Sequence, residues 1–258
     1  MELDKIYNED CLKTMQSLHD IDCVLTSPPY NTSRKGATDL STHQCRYEAY
    51  DDTMTDEEYI DWTINLFSGF DKILRTDGCV LYNLSYSSEN TWLLWNLVAD
   101  IQKRTNFMVA DCIVWKKKSA LPNNVSPNKL TRICEFVFVF CRKSEFSSFK
   151  CYKGVTSTRE KTGQTMYGNV FNFIEAPNND ENCPIHKAAY STLLCRKLLL
   201  LYTQKGDTIY DPFMGTGTTA VACAKESQKY IGSEISQRYC DWANNRIFNE
   251  TRQLSLFD

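Results

Sequence analysis

The sequence predicts an α/β fold, a doubly wound and mainly parallel sheet covered by helices on both faces. Three observations lead there. Short β-branched and aromatic runs alternate with segments whose apolar residues recur every three or four positions. Acidic or glycine-rich loops directly follow several of those runs, where open parallel sheets bind ligands. The 258 residues, 42% of them hydrophobic, suffice for one full core, so a single domain spanning 1–258 is expected.

The elements follow in order. "IDCVLT" (21–26) is a short apolar run and reads as a buried strand. "TDEEYIDWTINLFSGFDKIL" (55–74) reads as a helix opened by a Thr55-x-x-Glu58 capping box, with Ile60, Ile64, Phe67, Phe70 and Leu74 on one buried face. An Asp77-Gly78 turn leads into the strand "CVLYNLS", then a helix near 90–103 and strands at "FMVADCIVW" and "TRICEFVFVFCR". A polar, weakly periodic stretch from about 143 to 185 follows. After it come the helix "AAYSTLLCRKLLLLYT", the strand "TIYDPF", the helix "TGTTAVACAKE", the strand "KYIGSE" and a last helix over about 236–249.

Composition narrows the function classes. No apolar run approaches a membrane span and no basic-then-apolar leader follows Met1, so a cytoplasmic location is expected. The 12 cysteines are scattered singly with no C-x-x-C pair, and read as free thiols, most of them buried, in a reducing compartment. None of the three histidines is spaced with a cysteine or another histidine as metal ligands are, so no metal is expected. The net charge of -3 is uneven: residues 115–163 carry +8 and the rest of the chain -11. Such a basic segment is either a solvated face or a phosphate-contacting surface.

Two loops carry the chemistry. In "DPFMGTGTTA" (211–220), Gly215 and Gly217 let the backbone pass close to a ligand and turn into a helix. The G-x-G-x-x-A spacing also fits a dinucleotide fingerprint, with Glu234 after the next strand placed for ribose hydroxyls, so a dehydrogenase shares the signal. Against that, the unit lies at the C-terminal end of the chain and Asp-Pro-Phe precedes the glycines. No G-x-x-x-x-G-K-[ST] occurs, which excludes a P-loop. The second loop is "TSPPY" (26–30), where a buried strand ends in two prolines and a tyrosine.

Together, "TSPPY" and "DPFMGTGTT" resemble the S-adenosylmethionine-dependent DNA methyltransferases that modify exocyclic amino groups. The order, with "SPPY" first, is similar to the permuted β-class arrangement. "IYNEDCLKTM", "IVWKKKSALPNN", "HKAAYSTLLCRKLL" and "YIGSEISQRYCDWANNR" fall where that family has its blocks, and the likeness fades between about 143 and 182. The resemblance implies a seven-stranded, Rossmann-like sheet. It implies that Asp211, Phe213, Gly215, Gly217 and Thr218 wrap the methionine part of S-adenosylmethionine, that Glu234 holds its ribose and that Asp10 holds its adenine amino group. Ser191 departs from the proline common there, which leaves His186 and Lys187 without an assigned role.

The prolines then make chemical sense. The lone pair of an amino group on cytosine or adenine is delocalised into the ring, and must be drawn out and aimed at the methyl carbon. The Ser27 hydroxyl and the Pro28 carbonyl, stiffened by Pro28 and Pro29, can accept hydrogen bonds from that amine without reorganising. Tyr30 offers a ring on which a flipped base can stack. Direct attack needs no covalent enzyme intermediate, and the Pro-Cys dipeptide of ring-carbon cytosine methyltransferases is absent. In the family, serine before Pro-Pro-Tyr leans toward cytosine N4, with adenine N6 the alternative.

Three other readings carry less. Glutamine and RNA methyltransferases with a Pro-Pro-Tyr motif place the glycine loop first, a dehydrogenase would bind nicotinamide, and an inactive nucleic-acid-binding module would have lost site positions. The expected partner is double-stranded DNA, with a homodimer and a cognate restriction endonuclease as further candidates. Lys116, Lys117 and Lys118 are expected to touch phosphates, and residues 143–182 to form a target-recognition insertion. The acidic stretch 31–61 is expected to act as a lid.

Overall fold

The structure, a computed structural model, describes residues 1–31, 54–87, 90–119, 122, 127–178 and 189–254. The strands in chain order are β1 (Lys5–Tyr7), β2 (Ile21–Thr26), β3 (Leu74–Leu84), β4 (Phe107–Lys117), β5 (Cys134–Arg142), β6 (Val155–Thr158), β7 (Thr165–Tyr167), β8 (Phe173–Ala176), β9 (Thr208–Asp211) and β10 (Lys229–Ser233). The helices are α1 (Cys11–Met15), α2 (Asp56–Ile73), α3 (Leu93–Arg104), α4 (Thr192–Tyr202), α5 (Thr218–Glu226) and α6 (Gln237–Leu254).

Eight strands form one sheet in the order β1-β10-β9-β2-β3-β5-β4-β8. Its neighbours are parallel except at β5, which runs against both β3 and β4. The described residues between β4 and β5 form no helix to carry the chain back to the starting edge, in keeping with an antiparallel pair. Seven strands were expected. The eighth, β8, pairs parallel with β4 and comes from the weakly periodic stretch, where a four-residue edge strand leaves little pattern. The β6–β7 pair stands outside the sheet as a separate antiparallel hairpin.

Period-two alternation divides the core. Along β2, Cys23 and Leu25 face a layer built from α4, α5 and α6, while Val24 faces one built from α1, α2 and α3. The capping box of α2 forms as expected: the Thr55 hydroxyl accepts from the Glu58 N–H at 3.3 Å, and the Thr55 N–H donates to the Glu58 carboxylate at 2.8 Å. The helix ends at Ile73 and Leu74 already belongs to β3. In place of a separate Asp77-Gly78 turn there is an irregularity inside the strand pair. Ile21 faces Leu74 and Cys23 faces Cys79, so β3 inserts Arg75–Gly78 against a single residue of β2. Helix α4 starts at an N-cap, Ser191, later than the apolar pattern suggested, and its hydroxyl accepts from the Leu194 N–H.

The ten cysteines among the described residues are free thiols, and seven of them are buried. The order of strands matters most for the site. Although β9 and β2 are parallel, the connections from them run to opposite sides, β2 to β3 one way and β9 to β10 the other, which opens a crevice at their carboxyl ends.

Candidate active site

Side chains from seven neighbouring chain segments line up along that carboxyl edge: Asp10 after β1, Glu234 after β10, Asp211 on β9, Ser27 after β2, Asn83 on β3, Glu135 on β5 and Lys117 on β4. The row divides at Asp211 into a glycine-loop half and a proline-loop half.

In the first half, β9 runs into a loop whose Gly215 and Gly217 have φ of 53° and 84°. Gly217 caps α5 in the left-handed region, and a Cβ there would meet the Ala243 Cβ on α6 at 2.9 Å. Glu234 accepts from the Gly215 N–H at 2.9 Å and the Ser236 N–H at 2.8 Å, and burial raises its carboxyl above the ordinary value. Asp10 is exposed and caps α1, accepting from the Leu12 N–H at 2.8 Å. Phe213 and Gly215 are half-buried and remain accessible, and the ring of Phe213 lies 5.5 Å from Trp62 of α2. Thr216 places its hydroxyl in the loop, buried and with no hydrogen-bond partner among the described residues.

The side chains of Asp211 and Thr218 turn into the protein, away from the expected cofactor side of the loop. The Asp211 carboxylate is completely buried and accepts from the Thr26 hydroxyl at 2.7 Å, the Phe213 N–H at 3.0 Å, Tyr190 at 3.4 Å and Thr219. It lies beneath the loop and ties it to Thr26, the residue before Ser27. Thr218 is buried too, and its hydroxyl accepts from Arg246 of α6 at 3.1 Å.

In the second half, Pro28, Pro29 and Tyr30 are buried and Ser27 is half-buried. The Pro29 carbonyl accepts from the Tyr59 hydroxyl at 2.9 Å, which pins the loop to α2. The Pro28 carbonyl accepts no hydrogen bond among the described residues, so it stays available beside Ser27. Ser27 Oγ lies 3.0 Å from the Tyr30 hydroxyl and 3.2 Å from Asn83 Nδ2. Tyr30 and Asn83 both donate to Glu135, at 3.2 and 3.0 Å, and the Lys117 ammonium meets the other Glu135 oxygen at 2.5 Å. Beside Tyr30 a small cleft lies between α2, α3 and the end of β3, lined in part by Asn31, Tyr59 and Tyr86.

Residues 21–245 match the sequence profile of the N6/N4 DNA methylases. The chain belongs to that family. M.Cfr9I, a type II methyltransferase of Citrobacter freundii, is 26% identical over 279 residues, covering 95% of this chain and 88% of its own. The orphan methyltransferase M.BamHII of Bacillus amyloliquefaciens is 30% identical over 177 residues, 57% of this chain and 65% of its own. Among solved structures, the PvuII DNA methyltransferase (cytosine-N4-specific) superposes with a TM-score of 0.71 at 18% identity, covering 96% of this chain and 91% of that one. The M1.HpyAVI-SAM complex does so at 0.64 and 21%, covering 94% and 98%. At these identities the two structures establish the methylase's fold.

For the methylase's lysines the structure revises the expectation. Lys117 is committed to Glu135 with only 23% of its side chain exposed, so its charge faces the site and not a phosphate. Lys116 pairs with Glu175 at 2.6 Å near the surface, and Lys118 is exposed. Asn83, Glu135 and Thr26 were not anticipated. A single acid inside "RICEFVFVF" and a polar residue near the end of "CVLYNL" were the available signals, but neither sits in a motif. His186, Lys187 and most of the expected lid at 31–61 lie outside the described residues.

Proposed function

We propose that this DNA methylase transfers a methyl group from S-adenosylmethionine to the 4-amino group of cytosine in double-stranded DNA. The observation that carries the reading is the end of β2: a half-buried serine hydroxyl, and next to it a Pro28 carbonyl with no hydrogen bond among the described residues, held between buried prolines. The residues of the glycine loop fit the cofactor. Gly215 and Gly217, both at positive φ, add no side chains to the loop, the Thr216 hydroxyl has no hydrogen-bond partner among the described residues, and Glu234 keeps acceptor capacity beyond its backbone contacts. Glu234 and Asp10 would hold the ribose and adenine ends, with Phe213, Gly215 and Gly217 around the methionine part. Bound there, the cofactor supplies a methyl group on a positively charged sulfur, which departs as the amine lone pair forms the new N–C bond.

The chain's own groups do the positioning. Ser27 Oγ and the Pro28 carbonyl accept the two N–H bonds of the amine, which turns its lone pair out of the ring plane and fixes its direction. The Tyr30 ring, three residues from Ser27, offers a surface on which a flipped base can stack. After transfer the nitrogen carries a surplus proton, which leaves for solvent on the half-buried Ser27 side.

Residues 143–182 serve as the target-recognition insertion in this reading. Support comes from the β6–β7 hairpin, which stands apart from the main sheet and exposes Tyr167 and Val155. Lys116 and Lys118 contact phosphates. The free thiols suit a cytoplasmic enzyme, and a homodimer and a cognate restriction endonuclease are the further partners in this reading.

The test is nucleoside analysis of DNA methylated in vitro. 4-Methylcytosine is expected. 6-Methyladenine alone would overturn the cytosine assignment while leaving amino-group transfer intact.

A further inference from the structure

The hydrogen bonds around Ser27 have a direction that can be worked out atom by atom. Glu135 lies near the start of β5 with 13% of its side chain exposed. The Lys117 ammonium occupies one of its oxygens, while Tyr30 and Asn83 share the other. An ionised carboxylate only accepts, so the Tyr30 hydroxyl commits its one proton to Glu135. Toward Ser27, 3.0 Å away, the Tyr30 oxygen is then an acceptor, and the one Ser27 proton goes to it. The same carboxylate fixes the Asn83 amide, which must present Nδ2 to it and cannot turn its oxygen there. Nδ2 carries two protons, and the shorter contacts take them: one goes to Glu135 and the other to the Tyr30 oxygen at 2.6 Å, which leaves Ser27, 3.2 Å away, with only a long contact to that nitrogen. With its proton committed inward, Ser27 Oγ has only lone pairs for a group arriving from the open side.

We propose that Glu135 is a positioning residue for methyl transfer. Acting through Tyr30 and Asn83, its carboxylate holds the Ser27 hydroxyl as a hydrogen-bond acceptor for the target amine. The inference rests on the reading of Ser27 as the acceptor at that amine. Direction matters there because a serine hydroxyl can bond an amine in two ways. Accepting from its N–H bond draws electron density onto the nitrogen, whereas donating to the nitrogen ties up the lone pair that must attack. A chain oriented before the base arrives requires no reorganisation during transfer. Lys117 holds the far oxygen of Glu135 in place from β4.

The test is a kinetic double-mutant cycle on the full-length protein, with unmethylated duplex DNA and S-adenosylmethionine as substrates. Glu135→Gln keeps the shape but lets an amide N–H donate to Tyr30, which would reverse the chain. Its kcat should fall about tenfold or more, with the S-adenosylmethionine KM and the DNA Kd within about twofold of wild type. Glu135→Asp, which keeps an acceptor, should recover part of the rate. In a Tyr30→Phe background, which retains the ring but breaks the chain, Glu135→Gln should cost less than about threefold. An unchanged kcat, a loss confined to KM or Kd, or the same factor in both backgrounds would overturn the proposal. Should Glu135→Gln fail to fold, Tyr30→Phe decides in its place: a lowered kcat at unchanged KM supports the chain, and an unchanged kcat removes it. Wild-type protein that methylates no amino group would remove the reading of Ser27 and this proposal with it. An active wild type beside an unaffected Glu135→Gln would remove the proposal alone.

Discussion

At Asp211 a carboxylate is sealed between the two loops of the site, and burial is the main force pushing its carboxyl from 3.8 up to about 6. Hydrogen bonds from Thr219, Thr26, the Phe213 N–H and Tyr190 oppose that push without cancelling it. The sign follows from linkage. Between the two values the folded protein holds a proton that the unfolded chain has lost, so this contribution to stability is present at acid pH and disappears as pH rises through about 6. Above that, the ionised group costs on the order of 3 kcal/mol. Asp211→Asn should therefore gain relative to wild type by up to about 3 kcal/mol in unfolding free energy between pH 4 and pH 7.5. Urea denaturation at several pH values measures this, and a constant difference across the range would refute it. Ser27 is the opposite case at this scale, since its motif was readable and its side chain is only half-buried. The Asp211 motif was equally readable, yet its side chain turned out to hold the loops together from below.

Strand β4 shows what a run of like charges hides. Lys116, Lys117 and Lys118 look equivalent in sequence, but alternation along a strand turns adjacent side chains to opposite faces. Lys117 meets Glu135 inside the site, while Lys116 forms a surface pair with Glu175, both side chains being 39–45% exposed. A pair that exposed contributes at most about 1 kcal/mol, so a DNA phosphate can compete for Lys116. Replacing Lys116 and Lys118 by Gln should flatten the logarithmic salt dependence of DNA binding by up to about two, and replacing Lys117 alone should leave the slope unchanged. Fluorescence titrations over a range of salt concentrations check both. If Lys117→Gln also flattens the slope, its pairing with Glu135 does not persist on DNA. Helix α2 was more legible as an element, because its cap and its apolar face are both local patterns.

Across the whole molecule, stability comes from two apolar layers pressed against the sheet, and Phe67 is central to one of them. Its ring is fully buried and packs against Phe70, Tyr82, Phe107 and Phe140 with centroids 5.0–5.6 Å apart. Those partners come from α2, β3, β4 and β5, so Phe67 joins elements that the chain brings together only on folding. Phe67→Ala should destabilise the protein by about 3–5 kcal/mol, read as a lower denaturation midpoint. Because none of its ring partners belongs to the site row, kcat per folded molecule should stay close to wild type at low temperature. A midpoint shifted by less than about 1 kcal/mol would mean that the neighbouring rings close the cavity. The same assembly explains why β8 escaped notice, since a short edge strand draws its identity from pairing with β4 and not from its own pattern.

By itself the sequence determined the alternation of strands and helices, the two loops and their order, and the kind of chemistry those loops serve. Each element and each loop depends on residues within a dozen positions of one another, where periodicity and turn-forming residues act directly, and the order of the loops is read off the chain itself. Only the tertiary structure decided which polar groups meet. Glu135 reaches Asn83 across 52 residues and Thr26 reaches Asp211 across 185, through strand neighbours that only the sheet order creates. Hydrogen bonds act over about 3 Å and leave no period in the chain, so the acids that hold a ligand and those that hold the fold look alike until the strands are side by side.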